Sequence, residues 1–278
     1  MSLRASALML LALVAFAANS ILTRAALDGT AIDPVAFTLI RIASGAMILI
    51  ALVRLRAGNR IGRGSWASAF ALFGYAILFS LAYASLSAAT GALLLFGAVQ
   101  ITMVAWARYR GQRLRMLQLA GLGLAIAGLV WLLAPGLAAP PALAAAMMLS
   151  AGVCWGVYTL RGKGSGDPLR ATAANFLRAL LPAAILALVV ASRLSLDREG
   201  VLLALASGAL ASGLGYAIWY AALRHIDTHT AAVSQLSVPV ITAVAGLALL
   251  AEPVTPRLTV AGIAILAGIA LVVWKPAR

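Results

Sequence analysis

Residues 16–24 read FAANSILTR, and residues 155–163 read WGVYTLRGK. Phe16 recurs as Trp155, Asn19 as Tyr158 and Arg24 as Lys163, each 139 positions later. The correspondence continues beyond these stretches. Asp33-Pro34 returns as Asp167-Pro168 after 134 positions, and Arg41 returns as Arg178 after 137. Phe79 and Tyr83 become Tyr216 and Tyr220 after 137, Thr90 becomes Thr230 after 140, and Gly121 becomes Gly262 after 141. An offset that drifts only from 134 to 141, with its order kept, marks an internal duplication. The segment Pro135–Pro141 (PGLAAPP) separates the copies, which gives repeats at 1–137 and 138–278.

Composition says where such repeats reside. The chain has 278 residues, 64% of them hydrophobic and 10% charged, with a mean hydropathy of +1.04. Soluble domains carry about 25% charged residues. Seven acidic residues cannot solvate a surface of this size, so most of it must meet lipid. Apolar stretches bounded by charges, Gly or Pro predict ten helices, over 4–24, 34–53, 65–84, 88–107, 115–134, 141–161, 170–191, 199–222, 229–250 and 257–274. The expected fold is an all-α integral membrane protein. Five helices per repeat is an odd number, so the second repeat enters the membrane from the opposite side. The two repeats are therefore inverted, an arrangement suited to alternating access around a midplane site.

The net charge of +14 raises the question of nucleic acid, but the distribution of the charges answers it. Of 21 Lys and Arg residues, fifteen fall on the side of the N terminus and four (Arg24, Arg193, Arg198, Arg257) on the other. Arg41 and Arg178 lie within spans. The excess follows the positive-inside rule, which places both termini in the cytoplasm of a bacterial-type inner membrane, with no nucleic-acid partner. The first span has the Arg4, apolar run and small residues Ala17 and Ala18 of a secretory signal, but it is long enough to cross and is expected to stay. Cys154 is the single cysteine, so the chain forms no internal disulfide.

Polar and aromatic residues within spans are the candidates for a substrate path. Tyr75, Phe79 and Tyr83 recur at i, i+4 and i+8, which puts them on one helix face. Ser212, Tyr216, Trp219 and Tyr220 share a face of the eighth span, and the repeat relates the two stripes. Phe16 with Asn19, and Trp155 with Tyr158, repeat the logic at i, i+3. Gln100, Asn175, Ser234 and Gln235 carry hydrogen-bonding groups that need partners in an apolar span, either in helix packing or on a substrate. Arg41 and Arg178 lie about two turns from their helix starts, close enough to snorkel to an interface or to meet a substrate anion. Gly121, Ala125, Gly128, Gly262 and Gly268 permit close helix packing. Glu252, just before Pro253, reads as a helix-end residue near the outer face.

Several chemistries lack their residues. No Asp or Glu lies in the middle of a span, which argues against coupling through a buried acid and against a cationic cargo. GxxxxGK[ST] is absent, so direct drive by ATP is not expected, and no protease motif appears. His225, Asp227 and His229 form an HxDxH cluster in a loop, but nothing else supplies a metal shell. Neither a metal nor a cofactor is expected.

Each repeat opens with an aromatic-small-small-polar patch and carries an Arg in its second helix. In this the chain resembles the drug/metabolite transporter superfamily, and most closely its ten-helix EamA-type branch. Pro239, Glu252 and Gly262 fit the fourth-to-fifth helix segment of the second repeat. The first repeat departs, with Val99 or Gln100 in place of the Pro and Gln112 in place of the Glu. The resemblance implies a secondary transporter rather than an enzyme. It points to a facilitative exporter of neutral or zwitterionic metabolites such as amino acids, with exporters of the YddG kind the nearest fit. An exchanger of phosphorylated or nucleotide-linked solutes, a channel and a polytopic membrane enzyme are the alternatives. The partners are the lipid bilayer and a small-molecule substrate, and monomer or homodimer stays open.

Overall fold

A computed structural model describes residues 3–57, 62–111, 115–136, 139–162, 166–225 and 234–273. Lys163, Asp227, His229, Thr230 and Gln112, named above, lie outside the described residues. Helices run over Leu3–Gly29 (α1), Pro34–Ala57 (α2), Trp66–Tyr83 (α3), Ala88–Tyr109 (α4) and Met116–Leu133 (α5). They continue over Ala142–Gly162 (α6), Pro168–Val189 (α7), Arg198–Leu223 (α8), Ser237–Leu250 (α9) and Pro256–Val273 (α10). Among the described residues, all but the 14-residue α9 are long and apolar enough to cross a bilayer. The protein is an all-helical multispan membrane protein.

The recurring Asp-Pro pairs have a local cause. Asp33 accepts hydrogen bonds from the Val35 and Ala36 amides just ahead of α2, and Asp167 accepts one from the Arg170 amide as the N-cap of α7. The following prolines, Pro34 and Pro168, occupy the first helical position, where a missing N–H costs nothing. Ser65, Ser87 and Asp197 cap α3, α4 and α8 in the same way. The Asp197 carboxyl is held below its ordinary pKa, first by the Gly200 amide.

Several contacts recur in exchanged form between the two sets of five helices. α2 packs on α7, α4 on α9 and α5 on α10, while the α3–α6 contact has its counterpart in α1–α8. The α4–α6 contact likewise has its counterpart in α1–α9. α5 and α10 are the least buried pair, and they cross at Gly121 and Gly268. A Cβ on either glycine would lie 2.5 Å from the other's carbonyl oxygen, so no larger residue allows this approach. Arg257 donates to the Trp131 and Ala134 carbonyls at one end of this pair, and Gln118 donates to the Val272 carbonyl at the other.

α8 is irregular at its centre, where Ser207–Leu214 (SGALASGL) forms a π-helical segment. Its small residues let α2 come close. A Cβ on Gly208 would lie 2.2 Å from the Arg41 carbonyl oxygen. π-Segments often mark functional positions, because they redirect the side chains around them. Large apolar side chains such as Phe70, Val130, Leu181, Leu188 and Leu247 point outward, as lipid-facing surface requires.

Candidate functional site

The helices of both halves converge on a narrow central cavity of about 30 Å³, room for a few waters at most. α1 supplies Phe16, Asn19 and Ser20 to its wall, α3 supplies Tyr75 and Phe79, and α6 supplies Trp155. Ala211, Ser212 and Tyr216 come from α8, Leu95 and Phe96 from α4, and Gln235 lies just before α9.

Trp155 is the centre of the aromatic part. It stacks on Tyr216 at 5.2 Å and on Tyr158 at 5.4 Å, and packs against Tyr75 at 4.9 Å. Phe16 meets Tyr216 at 5.9 Å and the edge of Trp219 at 5.7 Å. These rings give an apolar organic solute broad faces to lie against.

The polar part is a chain of uncharged groups ending on a guanidinium. Ser207 donates to Asn19 Oδ1 at 2.8 Å, and Asn19 Nδ2 donates to the Tyr75 hydroxyl at 3.2 Å. Arg41 Nη2 donates to the same hydroxyl at 2.9 Å, and Arg41 Nε donates to Ser212 Oγ at 3.4 Å. Arg41 also lies 5.2 Å from the Tyr75 ring centre and 5.0 Å from that of Phe79. Only 2% of it is exposed, so it is buried in the bundle and does not snorkel.

The remaining predicted residues lie elsewhere. Toward the arginine-rich end, the Tyr158 hydroxyl meets Thr172 at 3.4 Å and Thr172 donates to the Tyr220 hydroxyl at 3.2 Å. Beyond them, a second void of about 320 Å³ is bounded by Arg63, Ser65, Ser68, Arg161, Arg170 and Asn175. Asn175 Oδ1 accepts from the Ser65 amide at 2.8 Å, so its carbonyl oxygen is occupied in holding the start of α3. Arg178 is half-buried beside this void, over the Trp66 ring at 5.9 Å and donating to the Ala174 carbonyl. Gln100 is buried in α4 but does not reach the cavity wall. Trp219 backs Phe16 from behind.

At the opposite end Tyr83 lies outside the cavity wall. It is fully buried and its hydroxyl donates to the Ala88 carbonyl at 3.2 Å. A tight cluster covers it. Arg24 Nε donates to Glu252 Oε1 at 2.8 Å, Arg24 Nη1 donates to the Tyr83 carbonyl, and Arg24 Nη2 pairs with Asp28 at 3.0 Å. Glu252 Oε2 in turn accepts from the Ala88 amide at 2.7 Å. One ion pair thus ties α1, α3, α4 and the end of α9 together. Among the described residues no cluster of His, Cys, Asp and Glu could hold a metal ion.

Residues 142–274, which cover α6 to α10, match the EamA-like transporter family. Over 266 residues the chain is 53% identical to an uncharacterized protein of Pseudomonas aeruginosa, covering 95% of this chain and 93% of that one. It is 27% identical to an uncharacterized transporter of Archaeoglobus fulgidus over 259 residues, or 88% of this chain and 89% of the relative. A solved crystal structure shares the fold at a TM-score of 0.69 and 19% identity, covering 96% of each chain.

Proposed function

The chain belongs to the EamA-like transporter family, and from that premise we propose that it is a secondary carrier exporting small amphipathic metabolites, amino acids foremost. The cavity between the halves carries this reading: aromatic faces on one side, uncharged hydroxyls and amides on the other, and no carboxylate among the described residues of its wall. Rings supply area for an apolar side chain, while hydroxyls and amides orient a polar head. A cation would meet no partner of opposite charge there. Phosphorylated cargo is less well served, because Arg178 stands apart from the cavity and only one guanidinium adjoins it.

Movement would follow from the inverted halves, 1–137 and 138–278, rocking between two related packings around the cavity. The sealed cluster at Arg24 and Glu252 and the void at the arginine-rich end are what one such packing would look like. The charge asymmetry supports cytoplasmic termini in an inner membrane. Proteoliposome counterflow against amino acids, organic cations and sugar phosphates tests the proposal. Saturable exchange of amino acids is the expected result, and preference for organic cations would overturn it.

A further inference from the structure

Arg41 is a permanent charge with no counter-ion among the described residues. Guanidinium groups stay protonated in proteins. The ion pairs among the described residues engage Arg24 and Arg170, not Arg41, and Glu252 and Asp167 are committed to those partners. Arg41 Nη1 has no hydrogen-bond partner among the described residues. A buried, uncompensated cation in a low-dielectric bundle is costly, and an anion that approaches it removes part of that cost.

The hydroxyls between Arg41 and the cavity are already committed as acceptors. A tyrosine hydroxyl has one hydrogen to donate and two lone pairs. Tyr75 receives Arg41 Nη2 at 2.9 Å and Asn19 Nδ2 at 3.2 Å, so both lone pairs are engaged and its own hydrogen remains. Ser212 Oγ receives Arg41 Nε. Neither hydroxyl donates to an acceptor among the described residues, and both residues line the cavity. A donor whose oxygen already accepts from a cation is polarised and gives a stronger bond to an anion.

We propose that the central cavity, once the helices around it part to widen it, holds its cargo by a carboxylate, bound to the Tyr75 and Ser212 hydroxyls that Arg41 polarises from behind. The rest of the cargo lies against Trp155 and Tyr216, so the class is a monocarboxylate with an apolar or aromatic body. An α-amino group is tolerated without being required, because no acid lines the wall among the described residues. Two hydroxyl donors and one guanidinium match one carboxylate and fall short of a phosphate dianion. Arg63 and Arg161 at the wider void would draw the same anions toward the cavity.

Three compounds of one shape isolate the charge: 3-phenylpropanoate, 3-phenylpropanamide and 3-phenylpropylamine. Binding to the purified full-length protein in detergent is followed by tryptophan fluorescence and by thermal shift. The acid is expected to bind at least about tenfold more tightly than the amide, with the amine weaker still. Arg41→Gln should bring acid and amide level. Tyr75→Phe and Ser212→Ala, which keep the packing should Arg41→Gln fail to fold, should each weaken the acid severalfold and the amide by a smaller factor. Equal binding of acid and amide, a preference that survives all three substitutions, or binding of none of the compounds would overturn the proposal. It deepens the carrier reading, and the two fail separately. Acid binding without counterflow keeps the anion site and removes the carrier. Counterflow that treats acid and amide alike removes the anion site and keeps the carrier.

Discussion

Arg41 and Arg178 occupy matching places in the two halves and meet different surroundings. Pro34 to Arg41 is seven residues, about 10 Å of helix rise, whereas Pro168 to Arg178 is ten, about 15 Å. Depth along the helix would make Arg178 the more buried of the two. Yet Arg41 is 2% exposed, while Arg178 is half-buried beside a void of about 320 Å³. What separates them is the state of the helix ends. Arg24, Glu252 and the Ala88 amide close one end of the bundle, and the other is open between α3, α6 and α7. Burial of a charge in this protein is set by which end is closed, not by sequence position.

The largest expected effect tests that difference directly. Arg41→Gln removes a charge-assisted contact, about 1.5–3 kcal/mol for a bond to a charged group, and should slow proteoliposome counterflow by about tenfold or more. Arg178→Gln loses a contact to its own helix and a distant ring, and should slow it by less than about twofold. Equal losses would mean that both arginines serve the path and that their different surroundings are incidental.

Where the halves look alike, their substitutions should behave alike. Gly121 and Gly268 meet each other across α5 and α10. Leucine at either position overpacks the same crossing, at a cost of about 1–3 kcal/mol. Thermal unfolding in detergent should therefore show the two variants lowered to a similar degree. A large disparity would mean that the crossing accommodates a side chain on one helix and not on the other.

The closed end offers a smaller test. Glu252→Gln removes the ion pair with Arg24 and weakens the bond from the Ala88 amide. In a Cys154→Ser background, Ser20→Cys reports access to the cavity by a membrane-impermeant thiol reagent. Adding Glu252→Gln should speed labelling from the side remote from the arginine-rich end by about fivefold, for a loss near 1 kcal/mol. Unchanged labelling would show that the seal rests on the apolar packing around Tyr83.

Hydropathy and charge made the helices legible, because each apolar run ends on a residue with a job: Asp33 and Asp167 as caps, Pro34 and Pro168 at first positions. Depth was not. Tyr75, Phe79 and Tyr83 share a face, but eight residues of rise span about 12 Å, so Tyr75 and Phe79 reach the cavity while Tyr83 ends beneath Arg24. Periodicity reports an angle around a helix and says nothing of distance along the membrane. Ser20, Leu95, Phe96 and Ala211 were missing from the predicted site because their residue types are common in any packed span. The Arg24–Glu252 pair joins residues 228 positions apart, and the π-segment of α8 carries no signal beyond a run of small residues.

The smallest expected effect concerns the turn that aims Glu252. Ala251 adopts φ 51°, ψ 27° at the end of α9, and the Glu252 amide then bonds back to the Gly246 carbonyl at 3.2 Å. A left-handed conformation costs an ordinary residue about 1–2 kcal/mol, and glycine almost nothing. The first half places Gly111, with φ 84°, at the corresponding end of α4, 140 positions earlier. Ala251→Gly gives the second half the residue the first already has. Part of the relief is offset by the added freedom of glycine in the unfolded chain. The net gain should be about 0.5–1 kcal/mol, read as a rise in unfolding temperature of a few degrees at most. Gly111→Ala should cost a similar amount. A drop on Ala251→Gly would mean that the alanine methyl packs in the closed end and contributes more than its backbone strain removes, a difference between the halves that the turn geometry alone does not contain.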